Sequence, residues 1–294
     1  MSRGNGHSFR ELLDAPLGAL CGGTLSGLAL RRVDVAVLDT GVDAAHPALR
    51  GKIAGAASWS KVADGEIVRS RLRRTANNDP CGHGTGVAGV ISAIAPNARI
   101  FDYRVLDADC TGFGDVVLAG LRAAIESRAE IINVSVAFAK NRHWAETAKL
   151  LEEAYVRGKI VVASKRNFPR PGDLGMPAEL PTAISVDAAA FPNPFFLRYF
   201  RQSKIEFAAL GDNVRTARAG GGWTRLTGTS FAAPVVAGLC ALLRGANRDL
   251  ALFEIKSILK HHALRCAASA TREENGPVGN PLEEQPIHRM EDKE

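Results

Sequence analysis

Short apolar runs alternate along this chain with segments of helical period, the pattern of strands and crossover helices that build a parallel sheet. Val33 to Leu38 reads as a buried strand and Arg99 to Val105 as another. Between them Gly84 to Ile94 repeats Ala, Val and Gly at helical spacing, which sets His83 at a helix start. Asp115 is placed to cap a helix through about Ser127, Ile131 to Val136 returns as a strand, and Trp144 to Arg157 reads as a further helix. Ile160 to Ala163, Ala183 to Val186 and Ile205 to Ala208 complete the strands. A last core helix runs from about Ser230 to Leu243, with Ile255 to His262 following it. The predicted fold is α/β, a three-layer sandwich on a mostly parallel central sheet.

The 294 residues, 46% hydrophobic and 23% charged, suit one large domain with a single substantial core. Residues 30–265 are expected to form that domain, with 1–29 packing on it. After about Cys266 the sequence turns to charge, Gly and Pro with few apolar anchors, so 266–294 is expected to be a flexible tail. The stretch before Leu30 is interrupted by Arg10, Glu11, Asp14 and glycines, which fits neither a signal peptide nor a membrane helix. A cytoplasmic protein is the simplest reading, and a mature chain without its leader is the alternative.

The net charge of +6 is scattered, apart from Arg69, Arg71, Arg73 and Arg74. One short cluster lacks the broad basic face that nucleic acid requires, so no nucleic-acid partner is expected. The cluster reads as a solvated loop or as a basic rim that attracts acidic substrate. The cysteines Cys21, Cys81, Cys110, Cys240 and Cys266 are odd in number and show no CxxC, which favours reduced thiols. Cys81 lies two residues before His83, but no second ligand falls at metal spacing nearby.

Three short motifs carry candidate chemistry: Val35-Ala-Val-Leu-Asp-Thr-Gly41, Gly82-His-Gly-Thr85 and Gly228-Thr-Ser-Phe-Ala-Ala-Pro234. A serine hydroxyl needs a base within hydrogen-bond reach and a carboxylate that orients the base, and Ser230, His83 and Asp39 suit those roles. Asp39 ends a strand, where the loops of an open parallel sheet form a crevice, while His83 and Ser230 open helices. A helix starting at Ser230 also offers free N–H groups to a developing oxyanion.

In these motifs and their order, over roughly residues 30 to 262, the chain resembles the subtilisin-like serine proteases. The linking segments Ala95-Pro-Asn-Ala-Arg-Ile, Arg104-Val-Leu-Asp107 and Ile131-Ile-Asn-Val-Ser135 extend the resemblance. It implies a serine endopeptidase working through an acyl-enzyme, with Asp39, His83 and Ser230 as triad and Asn167, at the end of Val161-Val-Ala-Ser-Lys-Arg-Asn167, in the oxyanion hole. It also implies that Cys110-Thr111-Gly112 and Ser135-Val136-Ala137 pair with an extended substrate backbone, which makes a peptide or protein the partner.

The first specificity pocket of that family is usually walled by small residues. Here Phe138 follows Ser135-Val136-Ala137, and Ser164 is followed by Lys165 and Arg166. Phe138 is expected to block large side chains, and Lys165 or Arg166 to pair with an acidic substrate residue or to point into solvent. Gly114 falls near the family's aromatic lid over a distal pocket, which suggests weak selection there. Asp43 matches a frequent calcium ligand, yet one aspartate does not supply the six or more oxygens a hard cation needs, so no metal or other cofactor is expected.

Asp39 comes too early for the folded propeptide of secreted relatives, so the chain either folds unaided or is a mature fragment. Narrow specificity, as in cutting one precursor at one site or passing the acyl group to an amine, is expected. The competing reading is a peptide-binding pseudoprotease with a collapsed pocket. A lipase is disfavoured because no G-x-S-x-G elbow is present.

Overall fold

A nine-stranded sheet runs through the protein. The computed structural model describes residues 7–20, 24–25, 28–138, 140–168 and 173–274. In spatial order the strands are Arg198–Tyr199, Phe207–Leu210, Ala183–Ala189, Ile160–Ser164, Ile131–Val134, Val33–Asp39, Ala98–Arg104, Ile53–Lys61 and Ile67–Arg71. The seven from Phe207–Leu210 to Ile53–Lys61 are parallel, and only the two outermost strands run antiparallel.

The central strand shows why the fold has three layers. Every residue from Val33 to Asp39 is buried, and because successive side chains leave a strand on opposite faces, Val35 and Val37 join one core while Ala36 and Leu38 join the other. The first core is completed by the helices His83–Ile94 and Thr229–Ala246 and by residues from Leu252 to Ala263; the second by Gly114–Glu126 and Lys140–Val156. Thr229–Ala246 is long and apolar enough to cross a membrane, yet it is 94% buried within the fold.

Leu12, Leu17 and Leu20 are fully buried in the first core, each worth roughly 1.5–3 kcal/mol of transfer free energy. The backbone follows them: His7 N–H donates to the Ala246 carbonyl, and Asn247 Nδ2 donates to the carbonyl of His7.

Several expectations need correction. The helix beginning at Leu252 runs on to Glu274, and Cys266 is buried beside His262, so no structural break falls at 265; residues 275–294 of the expected tail lie outside the described residues. Asp115 is not a cap: Phe113 holds that position, and Asp115 sits in the first turn, where its carboxylate meets Lys61 Nζ at 2.6 Å. The hairpin of Ile53–Lys61 and Ile67–Arg71 was not foreseen, because Ala, Gly and Ser interrupt its apolar period. The strand expected at Ile205 begins instead at Phe207.

Candidate active site

The topology alone lines up the candidate residues. Ile160–Ser164, Ile131–Val134, Val33–Asp39 and Ala98–Arg104 are consecutive parallel neighbours. The segments leaving their carboxyl ends, Lys165 to Asn167, Ser135 to Phe138, Thr40 to Gly41 and Val105 to Gly112, therefore emerge side by side along one edge.

Asp39 is 1% exposed, and its Oδ1 accepts from His83 Nδ1 at 2.7 Å and from the Thr40 N–H at 2.8 Å. That contact fixes the neutral imidazole with its proton on Nδ1, leaving Nε2 as the basic nitrogen. Burial works against a charged His83; the charge of Asp39 and its hydrogen bond, with a smaller pull from Asp79, outweigh it and hold His83 above its ordinary value. Close approach of helix and strand depends on Gly84, where a Cβ would fall 2.2 Å from the Gly41 carbonyl oxygen and 3.0 Å from Asp39 Cβ.

The turn that presents His83 is built around Asp79, a residue the motif reading missed. Its Oδ1 accepts from Thr40 Oγ1 and Gly82 N–H at 2.7 Å each and from Cys81 N–H at 3.1 Å. Its Oδ2 accepts from the N–H and hydroxyl of Thr85 at 2.7 and 2.6 Å. A buried carboxylate thus satisfies the free donors at the start of the His83 helix, where the helix dipole also favours negative charge. Behind it Asp102, 1% exposed, accepts from Asn78 Nδ2 at 3.0 Å. Burial, aided by the like charge of Asp79, pushes the Asp102 carboxyl up to about 7 against hydrogen bonds from Asn78 and Val42 and the attraction of Arg104.

Ser230 is the second residue of the helix Thr229–Ala246. Its hydroxyl donates to the Ser135 carbonyl at 3.2 Å; no hydrogen bond to His83 is present among the described residues. Phe231 stacks against the imidazole at 5.0 Å between ring centres. Asn167 Oδ1 accepts from the Thr229 N–H at 3.0 Å and lies 2.8 Å from its hydroxyl. Because a backbone N–H needs an acceptor, this settles which end of the amide is oxygen and leaves Nδ2 as its unengaged donor. Thr229, which orients this amide, was also missed in the sequence.

A cavity of about 510 Å³ opens beside Ser230, lined among others by Ser135, Ala137, Phe138, Ser164, Asn167 and Thr229. Phe138 is held in the wall, paired through its backbone with Met176 and edge-on to the His143 ring at 5.8 Å. Lys165 does not point free into solvent: its Nζ meets Asp187 at 2.6 Å. Arg166 faces Asp173 at 3.5 Å. Val136 packs against the second core and lies outside the cavity lining.

The expectation of reduced thiols fails at one pair. Cys81 and Cys110 form a disulfide that ties the His83 turn to the exposed loop containing Thr111 and Gly112. Their 29-residue separation hid the pairing from a search for short cysteine spacings. Cys240 is buried, and Cys21 lies outside the described residues. Gly114 is covered by His143, so close that a Cβ there would sit 2.5 Å from the ring. Asp43 spends both oxygens on backbone donors, Oδ1 on Ala45 N–H and Oδ2 on Gly220 N–H. Arg69 and Arg71 line a separate cavity with Phe101 and Tyr103 at the sheet edge, and no arginine of that cluster lines the cavity beside Ser230.

The subtilase family model (Peptidase S8) matches residues 31–285. An intracellular serine protease of Paenibacillus polymyxa is 30% identical over 266 residues, 84% of this chain and 78% of its own. The major intracellular serine protease of Bacillus subtilis (strain 168) is 28% identical over 237 residues, 76% of this chain and 72% of its own. Among solved structures, sphericase superposes with a TM-score of 0.65 at 25% identity, over 82% of this chain and 87% of its own. With a family match over most of its length and a sheet of the matching architecture, the chain belongs to the subtilase family and is a subtilisin-like serine endopeptidase.

Proposed function

We propose that Ser230 is the nucleophile, His83 the general base and then acid, Asp39 the group that orients it, and Asn167 with the Ser230 N–H the oxyanion donors. The observation that carries this reading is the 2.7 Å contact between Asp39 and His83 beside a cavity that holds both Ser230 and Asn167. In the acylation step Ser230 Oγ bonds to the scissile carbonyl carbon while its proton passes to His83 Nε2. The tetrahedral oxyanion collapses, the C–N bond breaks, and His83 returns the proton to the leaving amine; water then repeats the sequence to release the acid. A fluorophosphonate that labels the wild type and fails to label Ser230→Ala is the expected result. Equal labelling of both would remove the assignment.

Main-chain pairing along Cys110 to Gly112 on one side and Ser135 to Ala137 on the other fits an extended peptide. The charged and aromatic walls Phe138, Lys165 and Arg166 favour selective cutting, as of a precursor, over general digestion. Slow or no loss of casein alongside cleavage at few sites in a peptide library is the expected outcome. The open cavity speaks against the pseudoprotease, whereas transfer of the acyl group to an amine uses the same residues and is read by adding a nucleophilic amine to the assay. The names of two relatives support a cytoplasmic setting, while the Cys81–Cys110 bond favours an oxidising one. Acid-quenched alkylation of cell extracts decides between them.

A further inference from the structure

A guanidinium carries five N–H donors in a rigid plane and no acceptor, so burying one without partners is costly. Arg166 is such a case. Its side chain is only 20% exposed, yet its head group makes no hydrogen bond among the described residues. Its one ionic neighbour, Asp173, stands at 3.5 Å, and its Nε is buried with no partner. The adjacent Lys165 contrasts with it, since its ammonium is closed by a 2.6 Å bond to Asp187.

The backbone holds Arg166 in the cavity wall. Its N–H donates to the Leu174 carbonyl at 2.8 Å. The turn continues through Gly175 at φ +94°, where a Cβ would fall 2.8 Å from that of Ala137 and 3.2 Å from that of Arg166. Gly175 thus lets the two walls close together without a side chain between them, and Arg166 lines the same cavity as Ser230.

We propose that Arg166 makes this enzyme select an acidic side chain on the residue whose carbonyl Ser230 attacks. An incoming carboxylate supplies the planar acceptor pair that the guanidinium lacks, a geometry for which arginine is suited and lysine is not. Asp173 engages only one nitrogen and holds the group in place. An apolar side chain entering instead would strip water from the guanidinium and offer its nitrogens no acceptor, with Nε already buried and unpartnered. This inference rests on the proposed role of Ser230.

The test uses fluorogenic peptides that differ only in that residue, Glu, Gln, Leu or Lys, with active enzyme counted by fluorophosphonate titration. Glu is expected to exceed Gln in kcat/KM by about tenfold or more, the scale of a charge-assisted hydrogen bond. Asp173→Asn, which removes the competing carboxylate, should widen the ratio, and Arg166→Gln should bring it to one or below. Full titration with a wild-type ratio near one overturns the acidic pocket and leaves the proposed mechanism standing. A preference for Glu that survives Arg166→Gln overturns Arg166 as the reader. Absence of titration overturns the role of Ser230 and this inference with it.

Discussion

Ser230 and Ser135 hold each other: the Ser230 hydroxyl donates to the Ser135 carbonyl at 3.2 Å, and the Ser135 hydroxyl donates to the Ser230 carbonyl at 3.0 Å. A hydroxyl has one proton, so Ser230 cannot give it to Ser135 and to His83 together. On the proposed roles, a substrate N–H arriving at the Ser135 carbonyl would take over that acceptor and free Ser230 to turn toward His83. Peptidyl phosphonates are therefore expected to phosphonylate Ser230 faster than simple ones with the same leaving group. Methylating the amide nitrogen next to the phosphorus should cost about fivefold to tenfold of that gain, the worth of one hydrogen bond. Equal rates for methylated and unmethylated reagents would show that Ser230 is already aligned at rest.

For Asp39→Asn, kcat is expected to fall on the order of 10⁴-fold through loss of the correct tautomer. The pH profile adds a sharper sign. In the proposed role His83 acts unprotonated, so wild-type activity is expected to fall as pH drops through a raised value. Without Asp39 the opposing burial dominates and the value drops. The residual activity of the variant should therefore persist to lower pH than that of the wild type, as kcat/KM against pH will read.

Replacing Asn167 with Ala is expected to lower kcat by about 10²–10³-fold with little change in KM, because in the proposed role its amide Nδ2 acts on an oxyanion that the ground state lacks. Thr229→Val should give a smaller loss of the same kind, since the Thr229 N–H still binds Oδ1 when the hydroxyl is gone.

Breaking the Cys81–Cys110 link frees the edge loop while Asp79 still holds the His83 turn through Thr40, Gly82 and Thr85. A non-thiol reductant or Cys110→Ser should raise KM for long peptides several-fold more than for a single-residue ester. It should also remove about 3.6 kcal/mol of stability, the chain-entropy value for a loop near thirty residues. Melting with and without reductant, compared with Cys110→Ser, measures both effects.

Asp102 sets a pH dependence of stability. Its folded-state value lies above its ordinary 3.8, at about 7, so the folded protein holds this proton more tightly than the unfolded chain. The contribution is complete below 3.8 and is lost as pH rises toward and through 7. Asp102→Asn, which stays neutral, is expected to gain on the order of 4 kcal/mol over the wild type at pH 8 and little at pH 4. Denaturant midpoints at the two pH values check it.

The layers were legible because apolar runs such as Val33 to Leu38 leave few alternatives for a chain of this length, and the pairing of Asp39 with His83 was legible because each sits in a short motif. What escaped the sequence acts across distance. Asp79 lies in Asn77-Asn-Asp-Pro80, where nothing separates a cap that takes five hydrogen bonds from an ordinary polar loop. Asp187 closes Lys165 and Asp173 approaches Arg166 only through the return of the chain, so a cationic wall read from neighbours in sequence became one closed ion pair and one guanidinium with a distant carboxylate at 3.5 Å. The backbone pairing of Phe138 with Met176, which fixes it in the cavity wall, likewise joins residues far apart in sequence.

The helix Thr229–Ala246 has its first turn at the cleft and nearly all of its length in the core. The proposed nucleophile is in that sense the half-buried tip of a helix whose other residues are buried, whereas the cavity-wall residues Phe138, Lys165 and Arg166 lie outside any helix or strand. Changing what is cut is a matter of loop residues and small energies; moving where cutting happens would require rebuilding the interior.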